Sequence, residues 1–415
     1  MNHNNTPTSS LPLSGIRVLD LSRILAGPWA AQTLADLGAE VIKVERPGAG
    51  DDTRVWGPPF LNDAQTGERA DAAYFLTCNR GKQSITVDFT QEEGAQLIKS
   101  LVKKCDILIE NFKVGGLKKY GLDYASLKAI HPGLIYCSIT GFGQTGPYAE
   151  RPGYDFLIQA MGGLMSITGE RDDKAGGGPQ KVGVAITDVM TGLYSTVGIL
   201  SALRVKERTG EGQHLDMALM DVQVAALANQ ASSYLVTGVS PVRLGNEHPS
   251  ITPYQSLPAS DGYFILAIGN DSQFKSFCQA ADHPELSSDP RFLTNKDRVT
   301  HRDQLTPLLE EITRTRRIDD WTLIMERAGV PCGPINTLER VFADPQVQAR
   351  ELRVDIPHAQ YGSVPSVASP IRLSKTPIQY DKAPPQLGEH NQAILQGLLG
   401  LSPEDVEKLQ DNGIV

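Results

Sequence analysis

Apolar positions in the first third of the chain switch between two spacings, one strand-like and one helical. "IRVLDL", Ile16 to Leu21, is a short β-prone run, "RILAGP" reads as a loop, and "WAAQTLADLG" repeats its apolar positions at helical spacing until Gly38 stops it. "EVIKVE", Glu40 to Glu45, returns to strand and completes a βαβ unit. The theme continues with "SITVDF", the helical "QEEGAQLIKSLVKKC", the strand "DILIENF" and then "LIYCSITGFGQTGP". Strands that alternate with helices in this way make a doubly wound parallel sheet, whose ligands bind beyond the carboxyl ends of its strands. The loops at Arg23 to Pro28, Arg46 to Arg54, Asn111 to Gly116 and Thr140 to Pro147 are therefore where a site is expected.

"GVAITDVMTGLYSTVGIL", Gly183 to Leu200, is a long apolar helical pattern with one acid, Asp188, at its start. That carboxylate is either an N-cap for free backbone N–H groups or a reactive group placed by the helix. A strand "HLDMAL" and an apolar helix through "DVQVAALANQASSYLV" follow. Near Thr237 the grammar changes: "PYQSLPASDGYFILAIGN" reads as an antiparallel hairpin turned at Asp261-Gly262, with short helices after it. The expected fold is α/β, with a Rossmann-like doubly wound large domain over residues 1–225 and a smaller α+β domain over 226–335. Residues 336–415, with a β-rich stretch and a helical tail, return to the large domain.

A chain of 415 residues exceeds one ordinary core, in keeping with that division. Its net charge of −9 opposes a general affinity for nucleic acid or anionic membrane, so an anionic ligand must be met by local cations. The five cysteines, Cys78, Cys105, Cys137, Cys278 and Cys332, are scattered without a C-x-x-C pair, so neither a disulfide framework nor a metal site is expected. "MNHNNTPTSS" has no apolar core of a signal peptide, and no apolar run reaches the roughly 18 uninterrupted residues of a membrane span. The expectation is a soluble cytoplasmic protein.

The first βα turn, "SRILAGP", has one glycine and a proline where a dinucleotide fingerprint needs G-x-G-x-x-G, which disfavours NAD. After the second strand stand Glu45 and Arg46, and an arginine there suits an adenosine carrying an extra phosphate, as in NADP or coenzyme A. Arg80, Lys82, Lys113, Lys118 and Lys119 crowd two neighbouring strand ends. Phe112 and Phe142 lie in strand-end loops, where an aromatic ring can stack on adenine.

Together, "GIRVLDLSRILAGP", "LGAEVIKVERPGAGDDTR", "CNRGKQSITVD", "ENFKVGGLKKYGL", "CSITGFGQTGP", "GVAITDVMTGLYSTVGILSAL" and "GVPCGPIN" resemble the class III CoA-transferases, the family of formyl-CoA and carnitine CoA-transferases that also holds the α-methylacyl-CoA racemases. The resemblance implies a CoA thioester as substrate, no permanently bound cofactor and an interlocked homodimer. It puts the catalytic aspartate on Asp188, CoA contacts on Ile24, Leu25, Arg46, Asn111, Phe112 and Lys119, with Phe142 added from its loop position, and a closing loop on Gly269 and Asn270. Leu25 stands where the formyl-CoA transferases carry glutamine, and the closing loop is poorer in glycine, so formyl-CoA and oxalate are not the expected substrates. Racemases of this fold carry G-H-D; here the run is Gly153-Tyr154-Asp155, and a tyrosine with an ordinary pKa of about 10 is a poor proton carrier at neutral pH. A racemase and a CoA-binding protein without turnover are the alternatives.

"ERPGAGDDTRVWGPPF" with "YCSITGFGQTGP" is most similar to the dicarboxylate branch, which moves CoA from succinyl-CoA to glutarate or related diacids. Such substrates keep a free carboxylate, for which Arg54 and Arg80 are candidate cations and Tyr154 and His248 candidate polar contacts. Asp188 would act as a carboxylate nucleophile, and the N–H groups and dipole of its helix start are expected to keep it ionised.

Overall fold

The computed structural model describes residues 11–415. They form two compact units, the first taking the chain up to Gly163, Val182–Ala231 and Gln346–Val415, the second Leu164–Lys181 and Ser232–Pro345. Leu164–Lys181, which the apolar pattern assigns to the large domain, thus clusters with the second unit.

The first unit is built on six strands, β1 (Arg17–Asp20), β2 (Glu40–Glu45), β3 (Lys82–Thr86), β4 (Ile107–Glu110), β5 (Ile135–Thr140) and β6 (His214–Ala218). They lie side by side in the order β3-β2-β1-β4-β5-β6, and every pairing is parallel. The chain reverses its direction of winding between β1 and β4, which opens a crevice at the carboxyl ends of those two strands.

Alternation along each strand sorts side chains into two cores, because neighbouring residues point to opposite faces. Val18, Val41, Ile107, Ile109, Ile135 and Cys137 face one core, and Leu19, Ile42, Leu108 and Tyr136 the other. Helices α1 (Ala26–Asp36), α2 (Glu92–Val102), α3 (Tyr124–Ile130), α4 (Asp155–Met161), α5 (Ile186–Thr209) and α6 (Leu219–Ala226) cover these faces. Ala30, Ala31 and Leu34 of α1 and Ile199, Ala202 and Leu203 of α5 fill the first core. Leu97, Ile98 and Leu101 of α2 fill the second, joined by Ile394, Leu395, Val406 and Leu409 from two helices near the chain's end.

Helix α1 starts at Ala26, three residues before the apolar spacing suggests, because Pro28 falls in its first turn, where a missing N–H breaks no helical bond. The helix expected through Val236 breaks instead at Ala228, whose φ is +45°. A small hairpin of Phe60–Asn62 and Arg69–Ala72 has no clear alternation and was not expected.

Gly192 is the contact point of α5 with α1: a Cβ there would stand 2.7 Å from the carbonyl oxygen of Ala26 and 3.0 Å from Cβ of Trp29. A side chain would push the helices apart at the turn that follows Asp188. By length and composition α5 could cross a bilayer, which an uninterrupted-run criterion does not detect, yet Thr187, Thr191, Gly192, Ser195 and Thr196 are buried within the first unit.

The second unit holds strands Tyr254–Ala259 and Gly262–Ala267, paired antiparallel, with Cys332–Pro334 beside the latter. Helices Asp271–Ala280, Arg302–Thr313 and Ile318–Arg327 pack on them around Phe264, Phe277, Leu309 and Trp321.

Candidate active site

A cleft of about 600 Å³ crosses the carboxyl ends of the sheet. The segment after every one of the six strands contributes: Leu21–Ala26, Glu45–Asp52, Val87–Thr90, Asn111–Tyr120, Thr140–Gly141 and Leu219. Neighbouring strands lie roughly 4.8 Å apart, so the cleft reaches roughly 19 Å from the end of β2 to the end of β6. Arg46 and Asp188 both line it.

The floor on the β2 side is a closed set of charges. Lys43 Nζ donates to Asp51 at 2.8 Å and to the carbonyl of Ser22 at 3.0 Å. Asp51 also accepts from the backbone N–H of Thr53 at 3.0 Å and of Ile24 at 3.3 Å. Burial works against its charge, but Lys43 and the hydrogen bonds from Thr53 together outweigh burial and hold it at about 2. One carboxylate thus ties the β1 loop to the β2 loop, and Ile24 is held at a φ of +73°, which a β-branched residue seldom adopts.

From the other neighbour of β1, Asn111 after β4 clasps the β1 loop. Its Nδ2 donates to the carbonyl of Arg23 at 2.7 Å while its Oδ1 accepts the Arg23 N–H at 2.9 Å. Phe112, next along, meets Phe89 edge-on at 5.5 Å and carries the Arg23 guanidinium 5.5 Å from its ring. Its N–H donates to Glu110 at 2.8 Å, and burial pushes that carboxyl up to about 7 against the pull of Ser138 and this N–H. Lys119 stands in the turn Lys118–Tyr120 with Nζ 4.6 Å from the Tyr120 ring.

Asp188 is the third residue of α5, inside the helix rather than at its cap. The residue at the cap, Ala185, has no side chain to serve, and Asp155 serves instead from the start of α4. Asp155 Oδ1 accepts the N–H of Thr187 at 2.8 Å and that of Asp188 at 3.4 Å. Among the described residues no donor reaches the Asp188 carboxylate, which faces the cleft half-buried. Burial first, and then the Asp155 charge, push it up to about 7. The expectation that the helix start keeps Asp188 ionised is therefore corrected: the N–H groups that would do so are already taken.

Ile24, Leu25, Arg46, Asn111, Phe112, Lys119, Tyr154 and Asp188 come together around the one cleft. Phe142 does not; it packs on the first core and against Tyr148, with ring centres 5.6 Å apart. Arg54 and Arg80 are not free to bind a substrate. Arg54 is buried and closed on Glu45 and Asp71, and Arg80 is buried and closed on Asp36 at 2.6 and 2.9 Å. Gly269 and Asn270 belong to the second unit, where Asn270 caps the helix Asp271–Ala280. His248, also there, accepts from the N–H of Ser250. Arg23, Arg151, Lys43, Asp51 and Asp155 were missed as site residues, although Arg23 and Asp51 lie in two of the loops where a site was expected and Asp155 ends the run Gly153-Tyr154-Asp155; nothing local marked Lys43 or Arg151, which also line the cleft.

The sequence model of the family described as CoA-transferase family III matches residues 13–391. The chain is 52% identical over 392 residues to a succinate–glutarate CoA-transferase of Agrobacterium fabrum, covering 94% of this chain and 97% of that one. It is 42% identical to the human succinyl-CoA:glutarate CoA-transferase, over 97% of this chain and 90% of that one. A crystal structure of a CAIB/BAIF family protein from Brucella suis is 56% identical and superimposes with a TM-score of 0.84, covering 94% of this chain and all of the other.

Proposed function

The chain belongs to CoA-transferase family III and is a CoA-transferase, and from that premise we propose that it moves CoA from succinyl-CoA to glutarate. The relatives named for this exchange, in a bacterium and in human, support the choice of acids. The observation that carries the chemistry is the Asp188 carboxylate, open to a cleft at the sheet's carboxyl edge and, among the described residues, free of hydrogen-bond donors.

In this reading an Asp188 oxygen attacks the thioester carbonyl of succinyl-CoA; the C–S bond breaks, leaving an aspartyl–succinyl anhydride and CoA thiolate. The thiolate attacks the aspartyl carbonyl, succinate leaves, and an aspartyl-CoA thioester remains. Glutarate attacks that thioester, releasing the thiolate and forming a second anhydride. The thiolate then attacks the glutaryl carbonyl, giving glutaryl-CoA and the Asp188 carboxylate again. Each step makes one acyl bond as it breaks another, so no proton is gained or lost. A carboxylate with a raised pKa is the more basic nucleophile once ionised, and half of it is ionised at about pH 7.

Arg46 and Lys119 would meet the adenosine phosphates and Phe112 the adenine, with CoA laid along the cleft toward Asp188. The reading extends to an interlocked homodimer, supported by the exposed Phe156, Leu193, Tyr194 and Val197 on α4 and α5, and to the cytoplasm, supported by five free cysteines. Incubation with succinyl-CoA and glutarate is expected to give glutaryl-CoA and succinate, and hydroxylamine added during turnover to leave a hydroxamate on Asp188, found by mass spectrometry. Exchange with Asp188 unmodified would overturn the mechanism, and α-epimerisation or binding without exchange would overturn the function.

A further inference from the structure

Asp155 lies at the first position of α4 and is buried, yet among the described residues it forms no ion pair. Every hydrogen bond it receives is directed. Oδ2 accepts Nε2 of Gln159 at 2.7 Å, and Gln159 in turn accepts the N–H of Val182 at 2.9 Å, fixing the chain that leads into α5. Oδ1 takes the N–H groups of Thr187 and Asp188. Thr187 is locked further by its hydroxyl, which donates to Gln223 of α6 at 2.6 Å.

An acid in the first turn of a helix is ordinarily stabilised as an anion by the free N–H groups there. In this chain a second carboxylate, 33 residues away in sequence, occupies those groups first. We propose that Asp155 is a positioning residue of the exchange reaction: by capping α5 from outside it aims the Asp188 carboxylate into the cleft, leaves it without a donor and sets a like charge beside it, as a reactive rather than a resting anion. This rests on Asp188 being the nucleophile, the reading given above. The like charge of Asp155 acts in the same direction, since two neighbouring carboxylates resist joint ionisation.

Among the described residues no other charge opposes it. Tyr74, from the short helix Ala73–Leu76, senses the Asp188 charge but is itself pushed up to about 12, chiefly by burial, and stays neutral. Among the elements packed on α5, α1 brings Asp36, already closed on Arg80; α6 brings the exposed Asp221; β6 brings His214 and Asp216; and β5 brings the buried Tyr136 and Cys137.

The test is the pH dependence of kcat for succinyl-CoA and glutarate in the full-length enzyme and in Asp155→Asn, Asp155→Ser and Asp155→Glu. Wild type is expected to gain activity through about pH 7. Asn and Ser retain an oxygen that can accept the helix N–H groups but lack the charge, so the rise moves to lower pH; activity at pH 5.5, as a fraction of plateau, increases about tenfold while the plateau itself falls. Asp155→Glu keeps the charge and the wild-type rise. A folded Asn or Ser variant with the wild-type profile overturns the proposal, as does a wild-type rise centred near pH 4, which needs no variant. Failure of the underlying reading is told apart by Asp188→Asn: if that variant exchanges CoA at the natural rate, the nucleophile itself is misassigned.

Discussion

Arg54 closes on Glu45 with two parallel hydrogen bonds, Nε to Oε2 at 2.8 Å and Nη2 to Oε1 at 2.7 Å. Its remaining arm reaches Asp71 at 2.8 Å, and its Cζ lies 3.7 Å from the centre of the Phe75 ring. Arg54 stands behind the cleft wall, and Glu45, which lines the cleft, also accepts the N–H of Asp51 at 2.9 Å. Replacement by Arg54→Met leaves two carboxylates without their cation. The unfolding free energy from urea titration is expected to fall by about 3–5 kcal/mol, as when one member of a buried pair is removed.

Arg46, the next residue after Glu45, is exposed at the cleft, and its loss should touch binding alone. Arg46→Ala is expected to raise KM for succinyl-CoA about tenfold, the worth of one charge-assisted hydrogen bond, with kcat little changed. The preference for CoA over its 3′-dephospho form should disappear with it, in competition assays using both.

Asp188→Asn should lower kcat by three or more orders of magnitude, as the loss of a nucleophile does elsewhere. Its effect on stability has a definite sign. The folded carboxyl titrates at about 7 and the unfolded one at about 3.9, so folding binds a proton between those values and wild type loses stability as pH rises from about 4 to 7. The amide escapes this loss. Chemical denaturation at pH 4 and pH 8 is expected to show the variant gaining on wild type between them and holding that gain above pH 7.

Gly192→Ala brings a methyl group into the Ala26 carbonyl at the crossing of α1 and α5. A cost of about 1–3 kcal/mol is expected from the overpacking. Because Leu25 and Ala26 line the cleft and Asp188 opens the displaced helix, kcat should drop as well, which a steady-state assay alongside thermal unfolding would separate from lost stability.

The strands of the first sheet were readable because each carries its alternation within a few residues, Val18 against Leu19, Val41 against Ile42. Asp188 was readable as an acid at the opening of a long apolar run. What could not be read were partners distant along the chain. Arg54 and Arg80 looked like free cations because Glu45 and Asp36 lie 9 and 44 residues away, and a one-dimensional pattern carries no sign of such pairings. The same blindness hid Asp155, whose role depends on where α4 delivers it, and so the ionisation of Asp188 was expected to go the wrong way. Residues 164–181 have the same local grammar as their neighbours, and only their contacts assign them to the second unit.

The first unit is assembled from three stretches of chain, with the second unit threaded between them. On the ribosome, β1 to β5 emerge long before Ile394, Leu395, Val406, Leu409 and Ile414, which share a core with Leu19, Ile42 and Ile85. At about 5–20 residues per second, the stretch from Gly163 to Gln346 alone occupies on the order of 10–40 s of synthesis. For that interval one face of the nascent sheet lacks part of its oily cover, which makes the newborn chain a natural client for chaperones and the moment of translation its most hazardous one.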